Sequence, residues 1–239
     1  MKVLVIGGGG REHTLCWKIS QSSRVEDVFC VPGNAGIEKI AHCKDVPYEG
    51  DFSSLVRFVR ENKIDFTVVG PEAPLVDGIV DVFESEGLRI FGPDKKAALL
   101  EGSKVHAKNF MRRYGIPTAE FKTFSDLDKA ITFIEKQKEP PVVKADGLAG
   151  GKGSFVTNSK EEAIAVSRKL IEKKILGSAG DRIVVEKKLR GKEVSFFVIT
   201  DGKSFKPLVS SRDHKSLLDG GKGPNTGGMG AYSPAPLRP

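Results

Sequence analysis

Lys144, Gly147, Gly150, Gly151, Lys152, Gly153 and Ser154 fall within one short segment near the middle of the chain. Glycines without a Cβ let successive backbone N–H groups converge on an anion, and they tolerate the positive φ that such a cradle needs. Lys144 and Lys152 add positive charge at the two ends. The apolar run Pro141 to Val143 leads in and the β-prone run Ser154 to Thr157 leads out, so the segment reads as a strand, a glycine flap and a returning strand. It is not the P-loop pattern G-x-x-x-x-G-K-[ST], because a strand follows the glycines rather than a helix. A plain hairpin with a solvent-exposed glycine tip is the competing reading.

Other candidates are spread along the chain. Lys104 opens a helix expected over Ser103 to Tyr114, where the positive end of the dipole disfavours a lysine; a nearby anionic ligand would account for it, and so would simple exposure. Glu186 to Leu189 and Glu193 flank two expected strands, Ile183 to Leu189 and Val194 to Thr200, where backbone groups can meet an adenine edge and a carboxylate can accept from ribose hydroxyls. Charged residues beside a hairpin are also ordinary surface. After Ser210 the chain becomes rich in Gly, Pro, Asn and Thr. Such composition suits disorder, but Asp213, His214, Lys215, Asn225 and Thr226 among its glycines suggest a substrate loop.

The N-terminal third supplies loops at strand ends. Lys2 to Ile6 reads as a buried strand, Gly7 to Gly10 as a turn and Arg11 to Gln21 as a helix, the opening of a dinucleotide-type unit. The fingerprint G-x-G-x-x-G is not met, because Glu12 fills the third glycine position. The helix N-terminus remains able to hold an anion. Strands Val25 to Val31, Phe66 to Val69 and Arg89 to Phe91 alternate with helices Phe52 to Arg60 and Leu75 to Glu86, which predicts a doubly wound parallel sheet. Gly7 to Gly10, Pro32 to Gly36 and Gly70 to Leu75, with Glu72, then face one crevice beyond the carboxyl ends of the strands. Pro93 to Gly102 is expected as a connection. Ser125 with Asp128 and Ser159 with Glu162 resemble capping boxes for helices Leu127 to Lys136 and one reaching Lys174.

With 239 residues, 39% apolar and 29% charged, the chain suits a two-domain globular protein. The net charge of +7 and pI near 9.2 favour anionic ligands, but no basic run marks a nucleic-acid surface. Three cysteines without C-x-x-C spacing indicate neither a disulfide framework nor a zinc site. No stretch approaches the ~20 apolar residues of a membrane span, and no signal peptide opens the chain, so a cytoplasmic protein without a membrane partner is expected.

Taken in order, GGGGREH, PGNAG, GPEAPL, KADGLAGGKG and DHK with GPNTGGMGAYSPAP resemble the phosphoribosylamine-glycine ligase family of the ATP-grasp superfamily. The resemblance spans the whole chain. It implies an α/β fold: a pre-ATP-grasp domain over 1–102, an ATP-grasp nucleotide lobe with the glycine flap over 103–192, and the start of a second lobe with a substrate loop over 193–239, C-terminally incomplete. It implies that ATP, with Mg2+ or Mn2+, activates glycine as glycyl phosphate for attack by 5-phosphoribosylamine, giving glycinamide ribonucleotide for purine synthesis. By the same resemblance Lys104 and Lys144 hold phosphates under Gly150, Gly151, Gly153 and Ser154. Glu186, Lys187 and Leu189 line the adenine pocket, and Glu193 meets the ribose. Gly9, Gly10, Asn34 and Glu72 face the phosphoribosyl group, joined by Asn225, Thr226, Gly227 and Met229, with Asp213, His214 and Lys215 catalytic. Arg212 stands where the family commonly has Gln. The family's Glu-x-Asn metal ligands have no counterpart here, so a monomer inactive by itself is expected. A different ATP-grasp ligase would share only the flap, a nicotinamide oxidoreductase would leave the second half idle, and a non-catalytic nucleotide-binding module would need no metal ligands.

Overall fold

The computed structural model describes residues 1–48 and 50–236. The chain divides into two compact units, Met1–Gly102 and Ser103–Pro239. In the first, β1 (Lys2–Gly7), α1 (Gly10–Ser20), β2 (Asp27–Pro32), β3 (His42–Cys43), α2 (Ser53–Glu61), β4 (Phe66–Val69), α3 (Glu72–Asp77), α4 (Ile79–Ser85), β5 (Ile90–Phe91) and α5 (Lys95–Gly102) follow in order. The five strands are parallel in the order β3-β2-β1-β4-β5. β1 is central and reads as an unbroken apolar run because both faces are covered. Leu4 and Ile6 pack with Leu55 and Phe83 on one face, and Val5 packs with Cys16 and Cys30 on the other.

Two expectations in this unit give way. The helix expected over Leu75 to Glu86 begins earlier, at Glu72, and is broken at Gly78, whose φ of +98° ends α3 and starts α4. Pro93 to Gly102 is not a plain connection. The Asp94 carboxylate accepts the Ala97 N–H at 2.7 Å, capping α5.

The second unit contains α6 (Lys104–Arg113), β6 (Phe121–Phe124), α7 (Leu127–Glu135), β7 (Val142–Ala145), β8 (Ser154–Val156), α8 (Lys160–Ile171) and β9 (Ile183–Glu186). Four strands form an antiparallel sheet in the order β6-β9-β7-β8. Val143, Ala145, Ile183 and Val185 turn to α7 and α8, burying Ala130, Ile134, Ala163 and Leu170. The alternate residues Lys144 and Glu186 therefore share the opposite face.

Asp126, not Ser125, caps α7, accepting the Lys129 N–H at 3.0 Å. Ser159 caps α8 as the sequence suggests, while the Glu162 carboxylate reaches back to Asn158 N–H rather than to the cap residue. α8 stops at Ile171 rather than Lys174, and β9 ends at Glu186, short of the expected Leu189.

The rest of the unit is built from short strands: β10 (Val198–Thr200) with β11 (Phe205–Pro207), β12 (Arg212–Asp213) with β15 (Ala231–Tyr232), and β13 (Ser216–Leu218) with β14 (Lys222–Asn225). The strand expected from Val194 contracts to β10, preceded by a single bridge between Ser195 and Ser211. Residues 237–239 of the expected second lobe lie outside the described residues.

Candidate functional site

β7 and β8 pair with Lys144 opposite Ser154, so the glycine segment forms the tip of a hairpin. Its neck is closed by the Ala145 N–H donating to Gly153 O at 2.8 Å. Gly150 and Gly151 take φ values of +54° and +77°, which side-chain-bearing residues rarely adopt. A Cβ on Gly151 would come within 3.7 Å of Thr226 O, so the flap tip lies beside the Thr226–Gly227 turn.

Beneath the flap is a buried ion cluster. The Glu186 carboxylate, on β9, accepts the Lys144 ammonium at 2.5 Å through Oε1. Its other oxygen, Oε2, is paired in charge with Lys108 from α6 but lacks a hydrogen bond of good geometry among the described residues. Lys108 also donates to Thr118 Oγ1 at 2.7 Å and lies over the Phe121 ring. Two ammonium groups against one carboxylate leave the cluster net positive on the face where Lys144 projects.

Lys104 is positioned by the start of α6. Its backbone N–H donates to Asp146 O and its Nζ to Gly147 O at 3.3 Å, which places it at the root of the flap. Asp146 itself went unnoticed in the sequence. Its buried carboxylate accepts from Ser103 Oγ, the Val105 N–H and Arg182, tying the helix start, the flap root and β9 together.

Lys187 N–H is occupied by Glu120 O at 2.9 Å, whereas Leu189 is 70% exposed. A cleft of about 450 Å³ is lined by Phe121, Pro140, Pro141, Glu186, Lys187 and Lys188, among others. Glu193 is paired with Lys215 at 3.0 Å, which raises the Lys215 ammonium above its ordinary value. Lys215 also lies 3.5 Å from Asp213 Oδ2, and Asp213 Oδ1 is buried without a hydrogen bond among the described residues. The His214 backbone bonds to Gly230 and Met229, and Lys215 O accepts from both the N–H and the hydroxyl of Thr226. Asp213, His214, Lys215, Thr226, Gly227 and Met229 thus belong to one set of interlocked turns, with Asn225 at the end of β14.

In the first unit the three strand-end loops do meet. A Cβ on Gly8 would lie 2.5 Å from Gly33 O, and one on Gly7 would lie 2.9 Å from Pro71 Cδ. Asn34 joins two of the loops: its amide donates to Gly8 O at 2.8 Å and its Oδ1 accepts the Gly36 and Ile37 N–H groups. Glu12, read from sequence only as a missing glycine, is 3% exposed and its Oε2 accepts the Gly9 N–H at 2.7 Å. Its carboxylate fills the space that side chains at Gly7 and Gly70 would need. Part of the anion-holding capacity of the α1 N-terminus is therefore already used by the chain itself. Arg11 bridges Glu12 at 3.1 Å and Glu72 at 3.4 Å, and a Cβ on Gly10 would meet nothing within 4 Å. Among the described residues no group of three or more His, Cys, Asp or Glu is arranged to hold a metal ion, and no helix is long and apolar enough to cross a membrane.

Comparison with known proteins places both units in one family. Residues 1–101 match the phosphoribosylglycinamide synthetase N domain, and residues 102–239 match the ATP-grasp (A) domain of the same synthetase. The chain is 52% identical over 239 residues to a phosphoribosylamine-glycine ligase of Neisseria meningitidis, covering 99% of this chain and 56% of that protein. It is 50% identical over 236 residues to one from Halalkalibacterium halodurans, covering 99% and 55%. The crystal structure of the Thermotoga maritima phosphoribosylamine-glycine ligase superposes with a TM-score of 0.79 at 35% identity, over 100% of this chain and 56% of that one. A biotin carboxylase domain from Hydrogenobacter thermophilus, solved with MgADP, shares the fold at TM-score 0.72 and 18% identity, over 90% of this chain and 50% of that one. The chain therefore spans about half the length of the curated relatives it matches. Both halves of the match name one family, and the chain belongs to it: it is a member of the phosphoribosylglycinamide synthetase family, with that family's N domain followed by its ATP-grasp domain.

Proposed function

We propose that this chain carries the nucleotide- and substrate-binding groups of a phosphoribosylamine-glycine ligase. ATP phosphorylates the carboxylate of glycine, and the amine of 5-phosphoribosylamine displaces phosphate to give glycinamide ribonucleotide, ADP and phosphate. A carboxylate is a poor electrophile, and conversion to an acyl phosphate supplies a leaving group. No protein nucleophile is needed, so positioning and charge stabilisation carry the rate. The observation that supports this reading best is the net-positive Lys144–Glu186–Lys108 cluster under a flap of positive-φ glycines.

In this reading Lys144 and Lys104 hold phosphate oxygens, and Gly150, Gly151, Gly153 and Ser154 cover them. Backbone from Glu186 to Leu189 lines the adenine, and Glu193 exchanges its Lys215 partner for ribose hydroxyls. Gly9, Gly10 and Glu72 face the phosphoribosyl group, while Asn34 shapes that loop because its own amide is committed within the chain. Asp213, His214, Lys215 and the turn from Asn225 to Met229 meet the reacting groups. Magnesium or manganese accompanies the nucleotide phosphates; the described residues offer no donor cluster for it, and none of these roles passes through the metal. The lobe boundary near residue 192, a monomeric state, small-molecule partners only and a cytoplasmic setting belong to the same reading.

In a protein of the relatives' full length, Lys144→Ala should lower glycine-dependent ADP release by about 100-fold or more, the scale of losing one charge-stabilising group. Undiminished turnover would overturn the assignment.

A further inference from the structure

The chain's three cysteines lie far apart in sequence and gather in one place. Cys16 on α1 and Cys30 on β2 are fully buried in the same apolar cluster, and Cys43 on β3 packs against it half buried. Cys30 is the hub. Its thiol donates to Gly7 O at 3.2 Å, and it is the register partner of Cys43 across the parallel pair β2 and β3.

Register partners on adjacent strands project to the same face. Their backbones are about 4.8 Å apart, within the ~4.4–6.8 Å that a disulfide spans between Cα atoms. Gly33 marks where the Cys43 sulfur lies: a Cβ built there would fall 2.3 Å from Cys43 Sγ and 3.6 Å from Cys30 Cβ.

We propose that Cys30 and Cys43 form a two-electron oxidation site whose oxidant is a peroxide. The Cys43 thiolate attacks one peroxide oxygen, the O–O bond breaks, hydroxide leaves and Cys43 becomes a sulfenic acid. The Cys30 sulfur then attacks the sulfenic sulfur, the S–O bond breaks and water is released as its proton is taken up, leaving an intrachain disulfide. Cys43 reacts first because it alone of the three has solvent exposure, and Cys30 resolves it because it is the register partner of Cys43 on the adjacent strand. Burial holds the Cys43 thiol above its usual value, so the reaction is slow and stoichiometric, unlike that of a catalytic peroxidase.

The new bond has a structural consequence. It takes the Cys30 proton from Gly7 O and draws Cys43 Sγ from its place 3.9 Å from Asn34 O. Both acceptors belong to the loops that carry Gly9, Gly10 and Asn34, so the site sits directly under the strand-end crevice.

The test is peroxide treatment of the 239-residue chain followed by mass spectrometry and thiol counting in denaturant. The expected product is lighter by about 2 Da, retains one of three free thiols, yields a peptide joining Cys30 to Cys43, and reverts with dithiothreitol. Cys16→Ser should give the same product and Cys43→Ser none. A Cys16–Cys30 bond, an over-oxidised Cys43 beside a free Cys30, or three unreacted thiols would each overturn the proposal. Peptide mapping of the unsubstituted chain decides the matter even where a variant fails to fold.

Discussion

At the scale of single residues, Glu186 is a 7% exposed carboxylate held between two ammonium groups. Removing one partner from a buried pair is costly because a charge is left uncompensated. Lys108→Met leaves Lys144 at 2.5 Å, so the loss should be partial, about 1–3 kcal/mol by denaturant unfolding. A neutral result would mean that Lys108 is not needed to balance Glu186. Lys215 offers a second check. Its folded value is raised above 10.5, chiefly by Glu193, so its pairing contributes fully below the unfolded lysine value and is lost as pH rises through the folded one. In a lysine-resolved NMR titration it should titrate above that reference, and Glu193→Gln should bring it back down; an unmoved titration would count against the pair. Glu12 and Asp146 show why some of the site could not be read from sequence. Their importance comes from Gly70 for Glu12 and from Ser103 and Arg182 for Asp146, residues distant in sequence that meet them only after folding. Lys144 was legible because its strand, its glycines and the returning strand are contiguous.

At the scale of elements, β1, β2 and β4 follow from short, mainly apolar runs, and the β7–β8 hairpin follows from β-prone runs on either side of a glycine segment. What periodicity cannot see is a break made by a single backbone conformation. The expected helix Leu75 to Glu86 keeps an apolar face throughout, yet Gly78 adopts a positive φ, and a Cβ there would lie 3.1 Å from the Lys95 side chain. β3 and β6 escape the sequence reading because His42–Cys43 and Phe121–Phe124 contain no continuous apolar run to set them apart from loop. β4 contains one local conflict. Thr67 is fully buried in the parallel sheet, and its hydroxyl has no hydrogen-bond partner among the described residues. Its shape suits the strand, but its oxygen does not suit the core. Thr67→Val keeps the branched shape and removes the unsatisfied group, which should raise stability by about 1 kcal/mol. Thermal unfolding checks this, and a lowered midpoint would show that the hydroxyl is satisfied after all. Asp146→Asn should act oppositely, costing about 1–3 kcal/mol because a buried acceptor of charged and backbone donors is weakened.

At the scale of the whole molecule, burial is distributed unevenly. β1, β7 and β9 lie under helices and are almost wholly buried. Beyond β9 the chain forms three two-stranded sheets, and Val198, Ile199 and Phe205 within the first of them and Phe196 and Phe197 just before it are all exposed. A two-stranded ribbon without a covered apolar face is marginal in water, so the turns bearing Asp213, His214 and Lys215 rest on the least buttressed part of the chain. Regions with few buried apolar contacts open at lower free energy than core strands, and amide exchange reports that difference directly. In this 239-residue chain, amides of Val198–Thr200 and of Phe205 and Lys206 should exchange at least about 100-fold faster than those of Lys2–Gly7 and Val142–Ala145. In a protein of the relatives' length the same amides should slow if additional chain covers these apolar residues, while β1 and β7 should change little. Equal protection of β10 and β7 in the 239-residue chain would show that the short strands are held by something other than burial.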